Sequence, residues 1–324
     1  MGKLIDGKWT TEDKIPRSST GVFSRQDAQF RNWITPDGSA GPSGTDGFSA
    51  QSGRYHLYVS AACPWAHRTL IFRQLKNLGD HISVSVVHPV MLGHGWTFEK
   101  DDHGATGDQL NGLLYLHQIY QKADPDVTSR VTVPVLWDKE HQTIVSNESS
   151  EIIRMFNSAF NDITGNTDDY WPEELRDEIQ AINATIYSNL NNGVYKCGFA
   201  STQAAYDNAV QTLFDTFDTL EDRLTRNRYL VGDKITEADW RLFPTLARFD
   251  LVYHLHFKCN RRRILDYPNL WAYARELYQW SGVTDTVNFT HIVQHYYRSH
   301  SSINPHGIVP INPIIDWAEL HGRG

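Results

Sequence analysis

Cys63 stands in the run Ser60-Ala61-Ala62-Cys63-Pro64-Trp65-Ala66, and its surroundings are those of a reactive thiol. Upstream, Tyr55 to Ser60 are β-forming residues with Leu57 and Val59 alternating, which predicts a strand. Downstream, Ile71, Leu75 and Leu78 recur at helical spacing. Pro64 suits the first helical position, where the N–H it lacks has no partner to lose, so Cys63 falls at the N-cap. Free amides and the positive end of the helix dipole at that point favour thiolate over thiol. Thiolate is the form that attacks sulfur. Position 66, where a dithiol motif carries its second cysteine, is Ala66. A disulfide formed by Cys63 therefore has no resolving thiol in its own turn and must be opened by another, most simply a small soluble one. A lone cysteine near a helix start is ordinarily an inert core side chain, so the reading needs further signals.

Two more follow along the chain. Val133-Pro134 lies inside the strand pattern Val131 to Trp137, and proline is excluded from strands except at edges and bulges. Ser146-Asn147-Glu148-Ser149 opens a helical pattern. Backbone amides and the Ser149 hydroxyl there suit a carboxylate, and Glu148 suits an ammonium. The plainer role of that tetrad is N-capping by Ser146 or Asn147.

The elements that must position these residues have a recognisable order. His81 to Val86 alternates as a second strand, residues 88–111 read as loop, and Leu113 to Ala123 reads as a helix. The strand over 131–137 is followed by Thr143 to Ser146, a hairpin, and then by a helix over Glu148 to Asn157. The order β-α-β-α-β-β-α is that of a thioredoxin-like fold. In such a fold Pro134 is cis and faces the cysteine, and Val133 offers its backbone N–H and C=O to a peptide-like ligand. A nucleophilic thiol, a peptide-pairing strand end and an amino-acid clamp together describe a glutathione site.

The rest of the chain divides around this unit. Residues 1–50 form an N-terminal extension without periodicity of its own, in which Trp9, Phe23, Phe30, Trp33 and Phe48 are suited to docking. Residues 51–165 form the thioredoxin-like, glutathione-binding domain. Residues 166–324 form an all-helical domain with a proline-containing C-terminal tail. Its helices are expected over Pro172 to Leu190, Gln203 to Arg226, from Thr236 on, 268–280 and 289–298. Thr236 and Asp239 form a capping box, with Ile235 and Trp240 as its hydrophobic staple.

The 324 residues carry 30 Lys and Arg against 38 Asp and Glu, a net charge of −8 that argues against a nucleic-acid or anionic-membrane partner. Cys63, Cys197 and Cys259 lie too far apart for a paired-cysteine zinc site and are too few for a disulfide scaffold. The start lacks a secretory pattern and no run of 18 apolar residues occurs, so a reducing, cytoplasmic setting is expected. His291 and His295 have helical spacing but no Glu between them in the zincin pattern and no third ligand. Neither a metal nor a permanently bound cofactor is expected.

Ser60-Ala-Ala-Cys-Pro-Trp-Ala-His-Arg68, Val131-Thr-Val-Pro134 and Ser146-Asn-Glu-Ser149 resemble the glutathionyl-hydroquinone reductases, the Xi class of glutathione transferases, related to the omega class. The likeness spans nearly the whole chain, through Phe30-Arg-Asn-Trp33, Asn192-Gly-Val-Tyr195, Thr236-Glu-Ala-Asp239, Arg298-Ser-His300 and Ile303-Asn-Pro305. It implies a homodimer of two-domain subunits that uses glutathione as co-substrate to reduce glutathionyl-hydroquinones, releasing hydroquinone and glutathione disulfide. It makes Cys63 the nucleophile and places Trp96, Arg130, Val133, Glu148 and Ser149 at glutathione-binding positions. Tyr195, Tyr253 and Tyr296 match aromatic residues lining the hydroquinone pocket, where Tyr195 and Tyr296 can hydrogen-bond the ring oxygens and supply a proton. Cys197 departs from the small apolar residue expected beside Tyr195. The same cysteine cycle would serve a general monothiol oxidoreductase acting on dehydroascorbate or glutathionylated protein, and only the acceptor pocket separates the two. Conjugation of glutathione to electrophiles is disfavoured, because a cysteine tends to trap glutathione as a mixed disulfide.

Overall fold

The computed structural model describes residues 2–11 and 15–324. The chain packs as two compact units. The first comprises residues 1–14, 26–168 and 285–299; the second comprises 15–25, 169–284 and 300–324.

In the first unit β1 (Lys3–Ile5) and β2 (Lys8–Thr10) form an antiparallel hairpin, and β3 (Trp33–Thr35) pairs in parallel with β4 (Gly47–Ser49). Then follow β5 (Tyr55–Val59), α1 (Pro64–Leu75), β6 (Ile82–Val86) and α2 (Leu116–Ala123). After them come β7 (Ser129–Arg130), β8 (Val135–Asp138), β9 (Thr143–Ser146), α3 (Ser149–Ser158) and the short α4 (Asn161–Thr164). The four-stranded sheet has the order β6-β5-β8-β9, with β5 and β6 parallel and the other pairs antiparallel. This is the thioredoxin-like arrangement read from the sequence. Every residue of β5 is buried. One of them is polar, and it is satisfied in place: His56 Nδ1 and Nε2 lie 2.7 and 2.9 Å from the Ser83 and Ser85 hydroxyls.

Three local features differ from the sequence-based expectation. The strand expected over 131–137 begins only after Pro134, because the Val133–Pro134 peptide bond is cis and turns the chain. Residues 129–130 pair instead with β1. The helix expected from Leu113 starts at Leu116, because the Gln118 side chain accepts the Leu114 and Tyr115 amides and ends the preceding loop there. The strands of the N-terminal extension form by pairing rather than by a period of their own: β1 adds to β7, with Leu4 fully buried opposite Ser129.

The second unit holds α5 (Arg176–Ile186), α6 (Gly193–Gly198), α7 (Gln203–Leu224), α8 (Glu237–Arg248), the short α9 (His254–His256) and α10 (Pro268–Tyr278). The single helix expected over Pro172 to Leu190 opens with a 3-10 turn and ends in a π turn, Tyr187–Asn191. A second π turn, Phe249–Tyr253, continues α8. Such turns recur at functional sites because they re-aim side chains without ending the helix. The capping box is present at α8: Thr236 accepts an amide of the first turn, and Asp239 accepts the Thr236 amide at 2.8 Å. Gly198 is required by close approach, since a Cβ there would meet the Phe257 ring at 2.2 Å.

The last helix, α11 (Phe289–Ser299), packs with the first unit although it follows the helical region in sequence. His67 of α1 lies 2.9 Å from the Thr286 hydroxyl, and Asn288 Nδ2 donates to the His103 carbonyl at 2.6 Å. His291 Nε2 lies 3.1 Å from Asp101. Among the described residues no helix is long and apolar enough to cross a membrane.

Candidate active site

Cys63 is the N-cap of α1, with extended backbone angles (φ −77°, ψ 124°) and Pro64 at the first helical position. Its carbonyl accepts the His67 amide, which fixes the first turn, while its thiol makes no capping bond. The side chain is half-buried, whereas Cys197 and Cys259 are 2% and 0% exposed. The thiol instead points at the neighbouring strand end, and Sγ donates to the Val133 carbonyl oxygen at 3.6 Å. Thiol, helix N-terminus and cis-proline turn therefore converge on one point.

Tyr120 of α2 holds that strand end against the start of α3. Its hydroxyl donates to the Thr132 carbonyl (2.9 Å) and accepts from the Thr132 amide (3.2 Å) and from Asn147 Nδ2 (3.0 Å). Asn147 is in turn fixed by Phe30, whose amide donates to Asn147 Oδ1 and whose carbonyl accepts the Asn147 amide. Asn147 is thus not the cap of α3, nor is Ser146. The cap is Glu148, whose carboxylate accepts the Ser150 amide at 2.9 Å and its hydroxyl at 2.7 Å. Sequence reasoning missed Tyr120 and the linking role of Asn147. Tyr120 shares the apolar face of α2 with Leu116 and Ile119, so only its hydroxyl could have marked it out.

Ser149 begins α3 and is buried. The first turn of that helix also carries Glu151, which would oppose an anion, but Arg31 of the extension binds its carboxylate through Nε at 2.7 Å and through Nη2. The ion pair holds the Arg31 guanidinium above its ordinary pKa. The helix start is therefore relieved of an uncompensated negative charge. Arg130 lies on β7, opposite Lys3 of the hairpin. Trp96 lies in the loop after β6, is 6% exposed, and stacks on His295. Tyr296 follows on α11, in the same unit as Cys63, and is 1% exposed. His291 and His295 are thus engaged with Asp101 and Trp96. No cluster of three metal-ligating side chains occurs among the described residues.

Tyr195 and Tyr253 belong to the second unit, 6.0 Å apart and edge to face. Tyr253 sits on the second π turn and is fully buried; Tyr195 is half-buried, with Arg25 over its ring at 5.0 Å. Phe23, Phe199 and Phe257 complete that aromatic cluster. Cys197, two residues after Tyr195 on α6, is buried. Burial pushes the Cys259 thiol well above its usual range, with a hydrogen bond to Cys197 adding to the rise, which keeps Cys259 in the unreactive thiol form.

Residues 62–159 match the family described as glutathione S-transferase, N-terminal domain, and residues 203–276 match glutathione S-transferase, C-terminal domain. Fold and site thus define a glutathione transferase with a cysteine at the start of its first thioredoxin-like helix. The chain is 55% identical to the glutathionyl-hydroquinone reductase YqjG of Escherichia coli over 323 residues, covering 100% of this chain and 98% of that one. It is 52% identical to the glutathionyl-hydroquinone reductase PcpF of Sphingobium chlorophenolicum, over 97% and 96% of the two chains. The glutathione-bound structure of YqjG superposes with a TM-score of 0.93, covering 99% of each chain at 54% identity. The Xi-class structure from Natrialba magadii superposes with a TM-score of 0.91 at 47% identity, covering 100% of this chain and 96% of that one. The chain belongs to the glutathionyl-hydroquinone reductase family, the Xi class of glutathione transferases.

Proposed function

We propose that this protein reduces glutathionyl-hydroquinones with glutathione, through a mixed disulfide on Cys63. The observation that carries the reading is the 3.6 Å approach of Cys63 Sγ to the Val133 carbonyl. A carbonyl has two lone pairs, so the amide of a bound cysteinyl residue can pair with the same oxygen. The ligand's sulfur then arrives beside Cys63. Arg130, Trp96, Glu148 and Ser149 bind the remainder of the tripeptide: Ser149, at the start of α3, takes a carboxylate, and Glu148 takes the ammonium.

The Cys63 thiolate attacks the sulfur of the glutathionyl-hydroquinone. The new S–S bond forms as the ring carbon–sulfur bond breaks. The bonding pair passes into the ketonised ring, which leaves as an enolate and takes up one proton to become hydroquinone. The resemblance assigns recognition of the ring to Tyr195, Tyr253 and Tyr296, and supply of that proton to Tyr195 or Tyr296. A second glutathione thiolate then attacks the mixed disulfide, releasing glutathione disulfide and restoring the Cys63 thiolate. The ring carbon is reduced by two electrons while two glutathione sulfurs are oxidised to one disulfide. Ping-pong kinetics follow. Because the electrons come from reduced glutathione, the cycle suits the cytoplasm and uses no permanently bound cofactor; the homodimer is what the resemblance to the Xi class implies.

Brief exposure to a glutathionyl-hydroquinone without free glutathione, followed by intact mass measurement, tests this. The expected result is one added glutathione, mapped to Cys63, with hydroquinone released. Folded protein that shows neither adduct nor hydroquinone overturns the reading. If such a protein instead reduces dehydroascorbate or glutathionylated protein, the general monothiol activity replaces it.

A further inference from the structure

Trp96 sits in a turn held by elements from both ends of the first unit's chain. From the C-terminal side, the His295 ring lies parallel to the Trp96 indole, with centroids 4.8 Å apart and planes 21° apart. His295 is itself fixed: its Nδ1 lies 2.8 Å from the Pro89 carbonyl oxygen, which can only accept, so Nδ1 carries the proton. One turn later, the Ser299 hydroxyl accepts the Met91 amide at 2.9 Å. From the N-terminal side, Trp9 of β2 donates through Nε1 to the Gly93 carbonyl at 3.0 Å and stacks on His117 of α2 at 4.7 Å. Gly95 has φ +68°, and a Cβ there would lie 2.7 Å from the Trp9 ring, so Trp9 packs directly on the residue before Trp96. The segment from Val87 to Tyr115 contains no helix or strand. The backbone is tied separately, the Trp96 carbonyl accepting the Leu116 amide at 3.0 Å and the Thr97 carbonyl the His88 amide at 2.9 Å. What the stacked ring of His295 adds is the orientation of the indole, which otherwise is fixed only on binding, at a cost to affinity.

We propose that His295, seconded by Trp9, is a positioning residue for glutathione: it holds the Trp96 indole in its binding orientation before the ligand arrives. The proposal rests on the reading of Trp96 as a glutathione-binding residue. It makes α11 and the β1–β2 hairpin working parts of the glutathione site, at residues that the family resemblance does not assign to glutathione.

The test is glutathione binding by calorimetry in full-length protein carrying Cys63→Ser, so that no disulfide forms. His295→Ala is expected to weaken binding about threefold to tenfold, the range of one stacked ring pair. His295→Phe, which keeps a flat ring on Trp96, recovers part of that loss. In a Trp96→Ala background, His295→Ala adds nothing, because the residues act through one another. Trp9→Ala shifts affinity in the same direction. With Cys63 intact, His295→Ala raises KM for glutathione and leaves kcat at saturation unchanged, a split that a general loss of stability would not give. Unchanged affinity in both His295→Ala and His295→Phe overturns the proposal, as does a full additive loss on top of Trp96→Ala. If the protein without these substitutions binds no glutathione, or Trp96→Ala leaves binding untouched, the reading of the site itself fails. That result is distinct from a failure at His295 alone.

Discussion

The Cys63 thiol donates to the backbone carbonyl of Val133 across 3.6 Å, joining the start of α1 to the cis-proline turn 70 residues later. The contact aims the side chain at a backbone group that a peptide ligand also needs.

Reactivity should follow exposure and helix position. Cys63 is half-buried at a helix start, while Cys197 and Cys259 are buried. Native protein treated with iodoacetamide is expected to gain a single carbamidomethyl group at Cys63. Prior addition of glutathione should slow that labelling, and all three cysteines should label only after unfolding. Equal labelling of Cys197 in native protein would contradict the burial.

Tyr120→Phe removes only a hydroxyl, yet it strands the Thr132 amide and Asn147 Nδ2. Thr132 is exposed and Asn147 is buried, so the cost falls on Asn147 Nδ2, about 1–3 kcal/mol for one buried group left unpaired. The variant should lose stability of that order in a urea titration. It should also show a raised KM for glutathione, because Val133 and the start of α3 are no longer tied together. An unchanged KM would mean that the backbone holds the two elements without this link.

The pH dependence of stability has a definite sign at His56. Burial lowers its pKa from 6.5 to about 4, so between those values the unfolded chain binds a proton that the folded chain does not. Stability present above pH 6.5 is therefore lost as pH falls towards 4, by about 3 kcal/mol from this one group. Denaturant titrations at pH 7 and pH 4.5 should give a smaller difference for His56→Gln than for the unsubstituted protein. Equal differences would show that His56 is not the group being titrated.

At α8 the box should separate into a small and a large term. Thr236→Ala removes a cap and should cost about 1 kcal/mol. Asp239 also accepts the Leu230 amide at 2.9 Å and the Tyr273 hydroxyl at 2.7 Å, inside the core. Asp239→Ala leaves several buried donors without an acceptor and should cost about 3 kcal/mol or more. Thermal melts distinguish the two, and equal shifts would argue against the burial of Asp239.

The sequence by itself determined what local chemistry determines. The strand before Cys63, the proline that opens α1, the absent second thiol at Ala66 and the capping box at Thr236 all depend on neighbours a few residues away, and each is present as read. The order of strands and helices along the first domain was legible too, because alternation and helical spacing mark each kind of element. Only the tertiary structure decided what depends on partners far along the chain. The extension has no period of its own, yet β1 becomes a strand because β7 offers it an edge. Asn147 could have capped α3 but is taken by Tyr120 and Phe30, leaving the cap to Glu148. The helix carrying Tyr296 reads as the end of a helical domain but packs with the first unit, where Asp101 and the Pro89 carbonyl are polar partners of its His291 and His295. Such partnerships are settled by which polar groups are left unpaired when apolar faces bury, and no local window of sequence contains that information.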